Sequence, residues 1–277
     1  MTTCDEVFEA ENPKKRVKIS QSLVRTLIDN DIYSMRQWDA LPLEDKAPFF
    51  TLPTLNTILQ TTIQSLVVKR LKSEFQPLLI KGDGCQYELI SSGKKVPKII
   101  QLLTSQRWTR KQIVFFSKII VDCLNRRTGK KNTIWLYGPS DAGKSQLISS
   151  LVEGFFNGVY GVPSHNPRSG FPLGSCVNKR LIYWDEPYIT PDNIELLKCV
   201  FGGSPVMVDQ KYKSDVTLEP TPCLVTSNKP PWAGLSDPEV MKNRMFVFYL
   251  SGSSFDGYPL TRDDWLEFFF EIYSNSS

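Results

Sequence analysis

Ile134-Trp135-Leu136-Tyr137-Gly138-Pro139-Ser140-Asp141-Ala142-Gly143-Lys144-Ser145 carries an apolar run into a glycine-framed turn, and Leu147, Ile148, Leu151, Val152 and Phe155 follow at helical spacing. The turn fits the phosphate-loop pattern G-x-x-x-x-G-K-[ST] in full, in the strand-then-helix setting that gives the pattern its meaning. Glycines let the backbone curl so that its N–H groups face phosphate oxygens, and the helix N-terminus adds positive potential. Gly138, Pro139, Ser140, Asp141, Ala142, Gly143, Lys144 and Ser145 are therefore candidate ATP-binding positions. Lys144 is expected to reach the β- and γ-phosphates, and the Ser145 hydroxyl to meet Mg2+.

Working outward, Leu181–Trp184, Cys223–Thr226 and Met245–Tyr249 are further short apolar runs separated by helical patterns. They predict an α/β domain with buried strands, whose function sits at the strands' carboxyl ends. The first of them ends in Asp185-Glu186. Two acids after an apolar run are common in any sheet; the phosphate loop upstream selects the reading in which Asp185 holds magnesium, directly or through water, and Glu186 orients or deprotonates the attacking water. The strand Cys223–Thr226 runs into Ser227-Asn228, which could set a carboxamide beside the γ-phosphate. Arg244 stands immediately before the last apolar run, where it could stabilise transition-state charge in a neighbouring subunit's site.

Gly202 to Ser214 reads as the start of a hairpin. Lys211 and Lys213 would share one side of an extended chain, with Tyr212 between them as a stacking face. Basic groups around an aromatic suit a single-stranded nucleic-acid backbone, and a solvated loop is the plainer alternative.

The rest of the chain sets bounds. Its 277 residues are 41% hydrophobic, enough to bury a core, and a net charge of +4 permits DNA binding without arguing for it. Six unpaired-looking cysteines point to reduced thiols inside a cell. The longest apolar run falls short of the roughly 20 residues that span a bilayer, so no membrane partner is expected. A lone histidine, His165, excludes any metal site built on a histidine pair. Residues 1–20 read as a disordered arm whose Pro13-Lys14-Lys15-Arg16-Val17-Lys18 is similar to a nuclear localisation signal. Residues 21–128 read as a helical bundle broken by prolines, with Leu23, Leu27 and Ile28 on one helix face and Phe115, Phe116, Ile119, Ile120, Cys123 and Leu124 on another. Residues 129–277 read as the ATPase domain.

Taken in order, Thr128–Trp135, the phosphate loop, Trp184-Asp185-Glu186, Val208–Lys213, Pro222–Asn228 and Asn243-Arg244-Met245-Phe246 closely resemble superfamily 3 helicases, and among them the large replication proteins of parvoviruses. The resemblance is strong over residues 100–250 and extends to the helical segment at Leu23–Trp38. It implies an AAA+ phosphate-loop fold, a homo-oligomeric and hexameric ring, and 3′ to 5′ movement on single-stranded DNA in the host nucleus. Position by position it implies that Lys144 and Ser145 serve the phosphates and metal, Asp185 and Glu186 the acidic pair, Asn228 a polar sensor, Lys211 and Lys213 the channel hairpin, and Arg244 an arginine finger. The helical region becomes a collar. Asp141 departs from the neutral residue usual there and is expected to point to solvent. The histidine-pair nuclease of such proteins is expected to be absent, leaving nicking and origin binding to a separate replication protein. A different class remains open: a nucleotide-binding regulatory partner of a full-length replication protein, without unwinding activity. A small-molecule kinase or GTPase leaves the hairpin lysines and Arg244 unexplained, and the chain has no guanine-specifying N-K-x-D.

Overall fold

The computed structural model describes residues 13–77, 96–164, 172–190, 192–210, 213–233, 235, 237–253, 255, 257 and 259–274, with backbone alone at 13–16, 210, 213 and 214. The chain forms two compact units, Met1–Ser73 with Asn157–Val159, and Glu74–Phe156 with Tyr160–Ser277.

The first unit is helical: α1 (Pro13–Asp29), α2 (Met35–Ala40), α3 (Leu43–Lys46), a 3-10 turn at Ala47–Phe49 and α4 (Leu55–Lys72). Leu23 and Leu27, one helical turn apart, bury against Ile32, Trp38, Phe49, Leu52, Leu59 and Ile63. Ile28 lies about 100° further round the helix and is exposed, so it does not join that face. Ser34 caps α2 by accepting from the Gln37 amide. The arm expected over residues 1–20 is corrected from residue 13 onward, because the basic run forms the opening turns of α1. Pro13 can open a helix, where its missing N–H costs nothing. Lysine and arginine are good helix formers once Leu23 and Leu27 hold the downstream turns. Residues 1–12 lie outside the described residues.

The second unit is built on a five-stranded sheet in the order β2-β3-β6-β1-β7: β1 (Thr133–Tyr137), β2 (Tyr160–Gly161), β3 (Leu181–Asp185), β6 (Cys223–Ser227) and β7 (Met245–Tyr249). Every pairing is parallel. Four of these strands are the four apolar runs of the sequence. Their near-continuous hydrophobicity reflects burial on both faces, which a parallel sheet requires. Trp135, Ile182, Trp184, Val225 and Met245 pack with α8 (Ile194–Gly202) and with the hairpin β4 (Val206–Gln210) and β5 (Lys213–Leu218). The other helices of the unit are α5 (Lys98–Ser105), α6 (Arg110–Leu124), α7 (Lys144–Phe156), the short α9 (Glu239–Lys242) and α10 (Arg262–Ser274). Helix α7 buries Leu147, Ile148, Leu151, Val152 and Phe155, the five residues expected from spacing.

The boundary between units falls at Ser73 rather than at residue 128. Helices α5 and α6, expected in the bundle, belong with the sheet. Thr109 and Gln112 form a capping box that starts α6. The face of α6 then needs an apolar partner, which β7 supplies: Phe248 packs on Phe116 with ring centroids 4.9 Å apart and stacks on Trp108 at 5.4 Å. The Trp108 indole also donates to the Tyr249 carbonyl at 2.8 Å. Proline positions mark where helices break but not which surface each helix covers. Phe115, expected on the buried face, is 49% exposed at the rim of this cluster. Among the described residues no helix is long and apolar enough to cross a membrane.

Candidate active site

Because β1, β3 and β6 are adjacent and parallel, their carboxyl ends bring the loop after Tyr137, the acids after Trp184 and the polar residues after Val225 to one edge. The loop is seated tightly. A Cβ on Gly138 would lie 2.1 Å from the Leu250 carbonyl oxygen, so only glycine fits there, and Gly143 adopts φ +83°. Asp141 is exposed with φ +61°.

The Lys144 ammonium is buried and donates to the Gly138 carbonyl at 3.0 Å, the Pro139 carbonyl at 2.7 Å and Asn228 Oδ1 at 3.1 Å. Burial holds its pKa below the ordinary lysine value, against the opposing pull of Glu186, Asp185 and Asp141. Ser145 Oγ donates to Asp185 Oδ1 at 3.0 Å. These two hard oxygen donors suit Mg2+, which takes one or two protein oxygens, keeps several waters and completes its shell with phosphate. The donor set therefore fits the expected metal.

Glu186 sits one residue beyond β3 with φ +50°, an unusual conformation for a non-glycine residue that collects at functional sites. Its amide donates to the Thr226 carbonyl at 2.8 Å, which fixes the turn. Although the side chain reaches solvent, partial desolvation, followed by the Asp185 charge, raises its pKa above the ordinary glutamate value. The Asn228 backbone N–H and Lys144 pull the other way. A carboxylate tuned upward is a better proton acceptor near neutral pH.

Lys144, Ser145, Asp185, Glu186 and Asn228 are thus brought together. Arg244 is not. In the parallel register Met245 lies opposite Thr133 and Tyr249 opposite Tyr137. Arg244 therefore stands at the amino end of the sheet, and at about 3.3 Å per residue that is roughly 16 Å from the phosphate-loop edge. Its guanidinium donates to the Lys198 carbonyl at 3.0 Å and to the Val240 carbonyl. The hairpin forms as expected, with Val208 and Leu218 inward and Met207 exposed, and Gln210 pairs with Lys213 across its tip. Lys211 lies outside the described residues, and of Lys213 only the backbone is described.

The sequence reading missed the residues that brace this site. Thr226 lies opposite Asp185 in the β3–β6 register and donates to Asp185 Oδ1. Tyr183, two residues before Asp185 on the same strand, is half-buried, and burial pushes its phenol up to about 12. The buried Trp135 indole donates to Ser227 Oγ at 2.7 Å, and Ser227 in turn donates to the Lys229 carbonyl, which sets the turn that carries Asn228. These residues read as ordinary strand positions until the register is known.

A family model described as parvovirus non-structural protein NS1 matches residues 11–230, most of the chain. The chain belongs to the parvovirus NS1 family. Protein Rep52 of adeno-associated virus 2 is 33% identical over 145 residues, half of this chain and 36% of that protein. Initiator protein NS1 of human parvovirus B19 (isolate AU) is 26% identical over 222 residues, 80% of this chain and 31% of that protein. The chain spans about a third of the length of these NS1-family relatives. A crystal structure of JCV helicase with a bound small molecule superposes with a TM-score of 0.52 at 14% identity, over 85% of this chain and 78% of that one. At that identity the likeness concerns fold, and it agrees with the α/β phosphate-loop architecture expected from the sequence.

Proposed function

We propose that this chain is the motor of a viral-type replication helicase, hydrolysing ATP with Mg2+ to move as a ring along single-stranded DNA. The observation that carries the reading is the convergence of Lys144, Ser145, Asp185, Glu186 and Asn228 on one sheet edge beside a loop with the phosphate-binding pattern. Membership of the parvovirus NS1 family supports it.

In this reading the residues from Gly138 to Ser145 cradle the phosphates. The Lys144 ammonium, already held among three oxygens, exchanges them for β- and γ-phosphate oxygens. Asn228, which shares Lys144, senses the γ-phosphate. Ser145 and Asp185 would hold magnesium, which when bound supplies positive charge at the phosphate oxygens. The Ser145–Asp185 hydrogen bond favours a role in which Asp185 accepts the hydroxyl hydrogen bond, leaving a Ser145 oxygen lone pair turned to the metal. Glu186 takes a proton from the attacking water. Arg244, a strand length from its own loop, serves the site of a second copy. Repeated head to tail, that contact closes a ring, hexameric by resemblance. The helices of the first unit act as its collar, and the basic run of α1 directs the chain to the nucleus.

In the same reading Lys211 and Lys213 meet the DNA backbone. The test is displacement of a strand from a duplex with a 3′ single-stranded tail. The wild type is expected to unwind it, and the Lys211→Ala/Lys213→Ala double variant to lose unwinding at least 10-fold while keeping its DNA-free ATPase rate. Equal unwinding by both proteins would remove the hairpin from the account.

A further inference from the structure

Three threonines among the described residues are buried, Thr133, Thr221 and Thr226. A buried hydroxyl must find a partner, and what it finds tells what it does. Thr133 donates to the Phe201 carbonyl and Thr221 to the Glu219 carbonyl, which are backbone bonds of a structural kind. Thr226 instead donates to a carboxylate, Asp185 Oδ1, the same oxygen that accepts from Ser145.

We propose that Thr226 is a positioning residue for the metal site, its hydroxyl holding the Asp185 carboxylate in the orientation that accepts the Ser145 hydrogen bond. The assignment rests on the ATP and magnesium reading above. Thr226 lies on β6, the strand between β3 and β1, and is fully buried, so it cannot drift. It faces Asp185 across the ladder, and its carbonyl accepts from the Glu186 amide. One residue of a rigid central strand therefore fixes both acids, through its side chain for one and its backbone for the other. Tyr183, two residues before Asp185, lies on the same face of β3. Groups that orient a metal's direct ligands typically change metal affinity by about 10- to 100-fold when removed.

The side-chain part of this arrangement is separable from the backbone part. Thr226→Val keeps the β-branched shape in a buried strand and removes only the hydroxyl, whereas Thr226→Ser keeps the hydroxyl. The experiment measures binding of a fluorescent ATP analogue to the full chain across a magnesium titration and in EDTA, with thermal melting alongside. The expected result is that Thr226→Val binds the metal-free analogue like the wild type but needs at least about 10-fold more magnesium for the metal-dependent gain, with Thr226→Ser close to wild type. A Thr226→Val protein with the wild-type magnesium curve overturns the assignment, as does equal impairment of both variants with a lowered melting temperature. Should Thr226→Val fail to fold, the magnesium curve of Thr226→Ala decides on the same terms. A wild-type protein that binds no nucleotide at all overturns the ATP reading, and the Thr226 assignment with it.

Discussion

Glu186→Gln is expected to bind ATP as tightly as the wild type and to hydrolyse it about 10²- to 10⁴-fold more slowly, the range that a general base contributes. The substitution is nearly isosteric. The turn after β3 is held by the Glu186 backbone amide on the Thr226 carbonyl, so it survives while the ability to take a proton is lost. Lys144→Ala is expected to have the opposite signature, losing binding itself, because in the proposed role its ammonium meets the phosphates. The raised Glu186 pKa adds a pH dependence. The base works when ionised, so wild-type turnover falls as pH drops through its pKa, at a pH above the ordinary glutamate value, and the residual rate of Glu186→Gln lacks that acid limb. Single-turnover hydrolysis and equilibrium ATP binding, both across pH, measure these effects. Normal hydrolysis by Glu186→Gln would assign the base elsewhere.

Arg244→Ala is expected to lower hydrolysis about 10³-fold or more in the assembled protein, the scale of a donated arginine finger, with ATP binding intact. The position of Arg244 immediately before β7, whose first residue Met245 lies opposite Thr133 and whose last lies opposite Tyr137, makes a role at its own chain's phosphate loop geometrically unavailable. Subunit mixing separates donation from a structural effect. If Arg244 is donated, Arg244→Ala subunits keep a complete phosphate loop and Lys144→Ala subunits keep a complete finger, and neither is expected to be active alone. A mixture contains interfaces where an intact finger meets an intact loop, and activity returns. The substitution also leaves the Lys198 and Val240 carbonyls without the guanidinium. The side chain is only partly buried, so water can reach them, and the cost to folding stays near the roughly 1 kcal/mol of an ordinary hydrogen bond. A mixture that co-assembles and stays inactive would contradict the donated role.

What the sequence made legible was local and periodic. The phosphate loop, the four long strands, the helix after the loop and the hairpin each follow from contiguous residues, and the register then brought Lys144, Asp185, Glu186 and Asn228 to one edge. What it hid depends on pairing between distant segments. Thr226 and Tyr183 differ in no visible way from other strand residues until β3 lies beside β6. The pairing of α6 with β7 was hidden for the same reason, since an apolar stripe such as Phe116, Ile120 and Leu124 declares that it needs a partner without naming one. The basic run before Ser20 misled because it carries no apolar periodicity, although lysine and arginine are also good helix formers.

The most direct test of the motor reading is ATP hydrolysis by the purified wild-type chain with and without single-stranded DNA. The account predicts hydrolysis that DNA stimulates severalfold. A well-folded oligomer that binds ATP tightly and does not hydrolyse it, with or without DNA, would contradict the motor and favour a nucleotide-binding regulatory partner of a full-length replication protein.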